Sequence, residues 1–578
     1  MKKSLLYGVG ALLALTSTSC VDDDYDLSDI DTTARVEVKD LTVPVNIAPF
    51  TLESIFDIDE NDPDAPVKKV DGKYAIVREG TFSSTDIRFN NIHLSSSGVQ
   101  KAVTSINTGV SGILPPGVNV EIPLTTDNIS ISYSSSAVPA EINDIDKVGA
   151  DFSISYTLEF GGFNGTVRRL LLSDVEIEFP KGLEGTVNVG QYYPEDGKII
   201  ISNRVLTSPK LEIVMNCSAL DFKALGGKFD AAGHTASVDL GVRIASGKLS
   251  FSSDDITGSV SSALTLSSSA ALSDIDVRKF SGTVSYAIEG VNIESVTLND
   301  LPDVFRQKET YIIIRNPQIY LGVHNPLSAY GVEAQSGMTI KSNFVADNGA
   351  VTTTTHSLDG NGIFKIGSAQ MNNVCLSPVK PEPFASGFEN SAHFPFTSLR
   401  TVLAGNGLPS TIDIALDHPG IFEQPVKNLP IGVEIGSVYG SYRFLAPLSF
   451  GKDSKVVYTE TKDGWNDEDI DAITIETMKV SATVTSQLPI DVDFEAYPVD
   501  VDGKQINNVK IIGAKVPANA KDYKLEITIT GKITHLDGIR FTATGFIPED
   551  MNSSLVPEQS IDCKDIRATV SGYYQKEL

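Results

Sequence analysis

Cysteine, tryptophan and positive charge are scarce in this sequence: its 578 residues include 4 Cys, 1 Trp and 46 Lys plus Arg against 74 Asp plus Glu. The cysteines, Cys20, Cys217, Cys375 and Cys563, are far apart and form no Cys-x-x-Cys, so they outline neither a disulfide framework nor a redox motif. Cys217, Cys375 and Cys563 read as small buried hydrophobes. A formal charge of −28 offers no basic footprint to displace phosphate counterions, which excludes nucleic acid as a partner. The 7 histidines, His93, His234, His324, His356, His393, His418 and His535, never approach one another in sequence, and no His-Glu-x-x-His occurs. No Gly-x-Ser-x-Gly marks a nucleophile, and Gly360-Asn361-Gly362 and Gly405-Asn406-Gly407 lack the further glycine and helix of a nucleotide loop. Glycosidases need only two facing carboxylates, and among 74 acids no single pair stands out. Long apolar runs are also missing. Leu5 to Leu15 is well short of the roughly 20 residues that span a bilayer.

What is abundant is alternation. Asp151 to Phe160 alternates polar and apolar up to Gly161-Gly162, Val175 to Phe179 does so up to Pro180, and Leu525 to Thr530 up to Gly531. Helical periodicity is confined to short stretches, Leu301 to Gln307, Phe396 to Leu403 and Ala219 to Leu225. The fold class is therefore all-β, as several antiparallel sandwich-like or extended-sheet domains with a few short helices. A phrase of apolar residue plus proline recurs at Leu114-Pro115, Val138-Pro139, Leu408-Pro409, Leu429-Pro430 and Leu488-Pro489, each before an apolar run. Proline cannot donate to a ladder, so the phrase marks a strand start, and its uneven spacing suggests divergent duplication, not a solenoid.

A hydrophobic fraction of 41% and this length suit several domains. Composition shifts divide the chain into a leader (1–19), an acidic tether (20–40), an N-terminal β region (41–250), a middle β domain (251–385), a β unit with a short helix (386–470) and a C-terminal β domain (471–578). The Ser-rich, low-bulk stretch Ser250 to Ser273 reads as a junction or sheet edge, and acidic Tyr458 to Asp471 as a turn region.

The leader carries the most specific signal. Lys2 and Lys3 precede the short apolar stretch, and Leu15-Thr16-Ser17-Thr18-Ser19 leads into Cys20. This resembles a bacterial lipoprotein precursor, in which the cysteine is acylated and becomes the first mature residue. The Ser-rich box, followed by Asp22, Asp23 and Asp24, resembles that of Bacteroidota, where an acidic run after the cysteine serves as an export signal to the outer leaflet of the outer membrane. Leu488 to Pro498, followed by Asp502-Gly503-Lys504, resembles uncharacterised surface lipoproteins of gut Bacteroidota. The resemblance implies an all-β, surface-exposed protein, anchored to the outer membrane through acyl chains on Cys20, and it supplies no catalytic residues. At roughly 0.8 kcal/mol per buried methylene, two or three such chains hold stably where one does not. Loss of the leader removes two lysines and no acid, leaving 44 basic against 74 acidic side chains, a net −30.

Calcium is the one metal with candidates. Asp57, Asp59 and Asn61 take the first alternating positions of an EF-hand loop, but Asp62 stands in place of its glycine and Lys68 in place of its closing glutamate. Asp59 to Asp64 also resembles a cadherin-type calcium linker. The second acidic cluster, Asp463 to Asp471, surrounds Trp465, which reads either as a sugar contact or as a cap on a sheet edge. No cofactor other than calcium suggests itself. The leading expectation is a non-catalytic binding, adhesion or structural module meeting an extracellular glycan or protein; a glycan-processing hydrolase and a lipid-binding β protein are the alternatives.

Overall fold

A computed structural model describes residues 33–44, 50–55, 65–298, 300–346, 348–405, 407–465, 470 and 473–577. Five sheets account for nearly all of it, and of the paired strands only Met371–Ser377 and Ala392–Pro395 run parallel. The all-β expectation holds.

The largest sheet has twelve strands and is shared between two sandwiches. Its axis is Ile142–Val167, 26 residues whose burial alternates along most of the length, so that Ile154, Tyr156, Leu158 and Phe160 enter one core. At about 3.3 Å per residue such a strand extends about 85 Å, long enough to pair with Lys210–Asp221, Ile256–Leu272 and Lys279–Ala287 along different stretches. One half of this long sheet packs on a nine-stranded sheet built around Thr235–Ser252; Tyr133 meets Phe152 edge-on at 5.9 Å, and Phe163 meets Phe251 at 5.4 Å. The other half, with strands Ala334–Val345 and Thr411–Pro430, packs on a six-stranded sheet ordered 392–395, 371–377, 318–324, 434–447, 73–88, 67–70. We call this the flanking sheet.

The third sandwich joins the two ends of the described chain. Thr33–Pro44 pairs with Ser560–Glu577, which continues through Ile473–Ser486 and Tyr523–Ile533 to Val509–Ile512. This terminal sheet packs through its apolar face, including Met478, Val480, Ile527 and Ile529, on a four-stranded sheet made of Lys455–Lys462, Gly538–Phe546, Asp491–Val499 and Ala514–Val516. The four-stranded sheet carries a β-bridge to the rest of the molecule, Tyr311 to Lys455.

Several local expectations change. Gly161-Gly162 is not a turn: the strand runs through it with a bulge at Gly162, whose φ of +99° needs glycine. Ser250 to Ser273 is neither junction nor edge, because Ile256–Leu272 lies between Ile142–Val167 and Gln100–Asn107. Its small residues misled: Val260, Leu264, Leu266, Ser268 and Ala270 are buried at even-numbered positions of one face, with Ser, Thr and Ala between them. Ala219 to Leu225 is not a helix; the strand Lys210–Asp221 takes its first residues, and Asp221 Oδ1 accepts the Ala224 N–H to make a turn. Lys455–Lys462 takes part of the presumed acidic turn as a strand. Asp303–Arg306 and the 3-10 turn Thr397–Thr401 stand where short helices were expected. Four proline phrases precede strands starting at Asn119, Ile142, Thr411 and Asp491, while Leu429-Pro430 closes one. The long sheet crosses the divisions at 250 and 385, and the tether gives way to strand at Thr33.

Candidate functional site

Cys20, Asp22, Asp23 and Asp24 lie outside the described residues, as do Asp57, Asp59, Asn61 and Asp62. Among the described residues no group of three or more His, Cys, Asp or Glu is placed to hold a metal ion. Trp465 is buried, its backbone N–H donating to Asp537 O at 2.8 Å, so it presents no open face to a sugar. Cys217 and Cys375 are buried and Cys563 half-buried; all three are free thiols, and burial pushes them up to about 12, 11 and 11 respectively. Such thiols are poor nucleophiles at neutral pH.

The sheets bring together two Ser–His pairs that sequence spacing did not reveal. Ser342 Oγ lies 3.3 Å from His356 Nε2, on adjacent strands of the long sheet, and His356 Nδ1 lies 3.0 Å from Ser398 O. This has the outline of a nucleophile, a base and an orienting carbonyl. The details point elsewhere: the serine donates its proton to Val402 O at 2.6 Å, and Ser342 and His356 are 0% and 2% exposed. Burial holds His356 below its usual range, hence neutral, and the pair ties the turn at 397–401 onto the sheet. Ser377 and His393 are 3.0 Å apart, where the serine hydroxyl also donates to Val379 O at 2.8 Å. Both pairs act as structural pins. The signal that could have exposed them, diagonal positions on paired strands, exists only once register is known.

Two cavities stand out among the described residues. One is a small apolar void of about 30 Å³ between the long and flanking sheets, walled by Phe82, Leu321, Phe364 and Ile421. It is about the size of a water molecule, with no room for an acyl chain. The other is an open cleft of about 600 Å³ where Thr397, Arg400 and Lys452 face Glu549 and Asp550. Arg400 Nη2 lies 2.8 Å from both Asp550 oxygens, and the Lys452 backbone N–H donates to Oδ1 at 2.8 Å. The Lys452 amide, with Arg400 beside it, holds the Asp550 carboxyl below its usual range. Glu178, Asp274, Glu389 and Asp491 are likewise displaced downward by hydrogen-bond donors. A general acid needs the opposite displacement.

These features define an all-β protein of three sandwiches in which the Ser–His pairs and the Arg400–Asp550 pair hold elements together. No helix among the described residues is long and apolar enough to cross a membrane. No family model and no curated protein matches the chain. Among solved structures, a Parabacteroides distasonis protein described as secreted overlays at TM-score 0.34 with 13% identity, over 51% of this chain and 90% of that one. A tetra-tandem repeat from the extending region of a large adhesion protein overlays at TM-score 0.11 with 9% identity, over 88% and 96%. Neither overlay is close enough to carry an argument.

Proposed function

We propose that this chain is an outer-membrane lipoprotein, acylated at Cys20 and displayed on the cell surface, whose sandwiches form a non-catalytic module for binding, adhesion or spacing. The observation that carries the reading is the leader ending at Cys20, followed after a short acidic segment by a strand, Thr33–Pro44, that is paired along its length within a sheet. Two further features support it. Long paired strands make a stiff body, and the Ser–His and Arg–carboxylate clusters have their protons and charges committed to neighbouring backbone and side chains. Recognition of a glycan or protein would fall to loops at the sheet ends.

Cys20→Ala in the full-length gene is expected to abolish palmitate incorporation and release the protein from the membrane fraction; retention of that variant would refute the anchor. Protease treatment of intact washed cells is expected to digest the protein. Survival on intact cells with digestion after lysis would refute surface display.

A further inference from the structure

The terminal sheet has one face in the core and one in solvent, and the solvent face differs in charge from the rest of the molecule. The register lines up Ile512, Thr528, Lys479, Thr569 and Thr42 in one row, Glu526, Ser481 and Arg567 in the next, and Lys524, Thr483 and Lys564 beyond. Lys510 continues it beside Thr530. Lys479 pairs with Glu526 at 3.4 Å and Lys564 with Asp562 at 2.9 Å. Lys510, Lys524 and Arg567 are exposed with no carboxylate in ion-pair range among the described residues; Lys524 donates to the Thr483 hydroxyl at 2.6 Å. Lys521, Asp522 and Asp565 stand at one rim, Arg35 and Glu476 at the other. Three cations without an ion-pair partner among the described residues thus stand beside serines, threonines and the paired Glu526 and Asp562, with Asp522 and Asp565 at the rim, on one flat face of a chain with a large excess of acid.

The sheet's place in the molecule gives that face a partner. Its strands pack on Asp491–Val499 and Ala514–Val516 of the four-stranded sheet, which in turn bridges to the remaining sandwiches, so the terminal sheet is an end layer. It is also the sheet that the anchored end of the chain enters: 12 residues lie between Cys20 and Thr33, a reach of at most about 45 Å. That length lets the face lie flat on the leaflet holding the acyl chains. We propose, resting on the Cys20 anchor, that the outward face of the terminal sheet docks on net-anionic, phosphate-bearing headgroups of that leaflet through Lys510, Lys524 and Arg567. The acidic sandwiches then project away from the membrane, where like charge repels them.

The test uses the lipidated full-length protein with a reporter thiol, Ile512→Cys, whose parent side chain is 54% exposed on this face. The native thiols are buried or half-buried and slow to react. Thr355→Cys, on an exposed edge strand of the long sheet, is the control. In vesicles of phosphatidylethanolamine with phosphatidylglycerol, a bulky membrane-impermeant maleimide is expected to label Ile512→Cys about tenfold more slowly than in detergent, with Thr355→Cys unchanged. The triple variant Lys510→Glu, Lys524→Glu, Arg567→Glu is expected to restore the detergent rate. Equal rates in vesicles and detergent would overturn the proposal. So would protection that survives charge reversal or persists in pure phosphatidylcholine, and protection that rises with protein density would assign the face to a second copy instead. Vesicle flotation and palmitate labelling, scored separately, report failure of the anchor itself.

Discussion

Asp550 and His356 make opposite uses of charge, and both predict acid sensitivity. The Asp550 carboxylate is stabilised by the Lys452 amide and Arg400, so its contribution is complete above the unfolded value near pH 4 and is lost as pH falls through the lower folded value. The pair is about one-third exposed, so Asp550→Asn is expected to cost about 1 kcal/mol at pH 7 by urea unfolding. The difference from the parent should shrink below about pH 4. His356 is kept neutral by burial, as is His393 to a lesser extent of enclosure. A histidine with a depressed folded pKa contributes fully above about pH 6.5, and that contribution drains away as pH falls toward the folded value. Unfolding between pH 7.5 and 5 should therefore show a stability loss that His356→Gln reduces. An unchanged slope would mean that His356 is not buried neutral. Neither residue stood out in the sequence, because Asp550 is one acid among 74 and His356 finds Ser342 only through strand register.

At the scale of elements, two glycines let the long strands cross closely. Gly165 and Gly258 face each other with φ of +155° and +117°, and a Cβ on Gly258 would lie 2.1 Å from Asn164 O. Backbone, not a flexible side chain, blocks that space, so Gly258→Ala should destabilise by about 3 kcal/mol, read as a lowered urea midpoint. Gly117→Ala, at positive φ but with open space around it, should cost less. These positions show why strand identity was readable in the sequence and strand extent was not. Alternation of buried and exposed residues located Asp151 to Phe160 and Leu525 to Thr530 correctly. Glycine, however, signals both a turn and a bulge, and only the partner strand decides between them; Gly161-Gly162 and Gly531 proved to be positions the strand passes through. The same ambiguity hid Ile256–Leu272, where Ser and Ala fill both the core-facing and the outward rows.

At the scale of the molecule, the sandwiches ignore divisions drawn from composition, because a shared sheet has no compositional boundary. Residues 41–250 expressed alone would lack Ile256–Leu272 and Lys279–Ala287, leaving the side of Ile142–Val167 opposite Lys210–Asp221 unpaired along most of its length. Size-exclusion chromatography and circular dichroism of that fragment are expected to show aggregation or loss of β signal, whereas a folded monomer would restore the boundary at 250. The sandwich formed by the chain ends depends on both of them at once. Truncation before Ser560 is expected to free Thr33–Pro44 from its partner and make the N-terminal segment protease-sensitive.

That pairing also decides how a tug on the tether is felt. Thr33 lies opposite Glu577 and Pro44 opposite Arg567, with a single irregularity near Asp40, so the first strand is bonded from its first residue to its last. Tension drawn along the strand falls on its hydrogen bonds together, whereas tension drawn across the sheet opens them one at a time from Thr33. A body lying flat beside its anchor under lateral drag is pulled in the first way, and a body standing upright in the second. In a chain anchored as proposed, posture at the membrane would therefore set the mechanical strength of the attachment without changing a single contact.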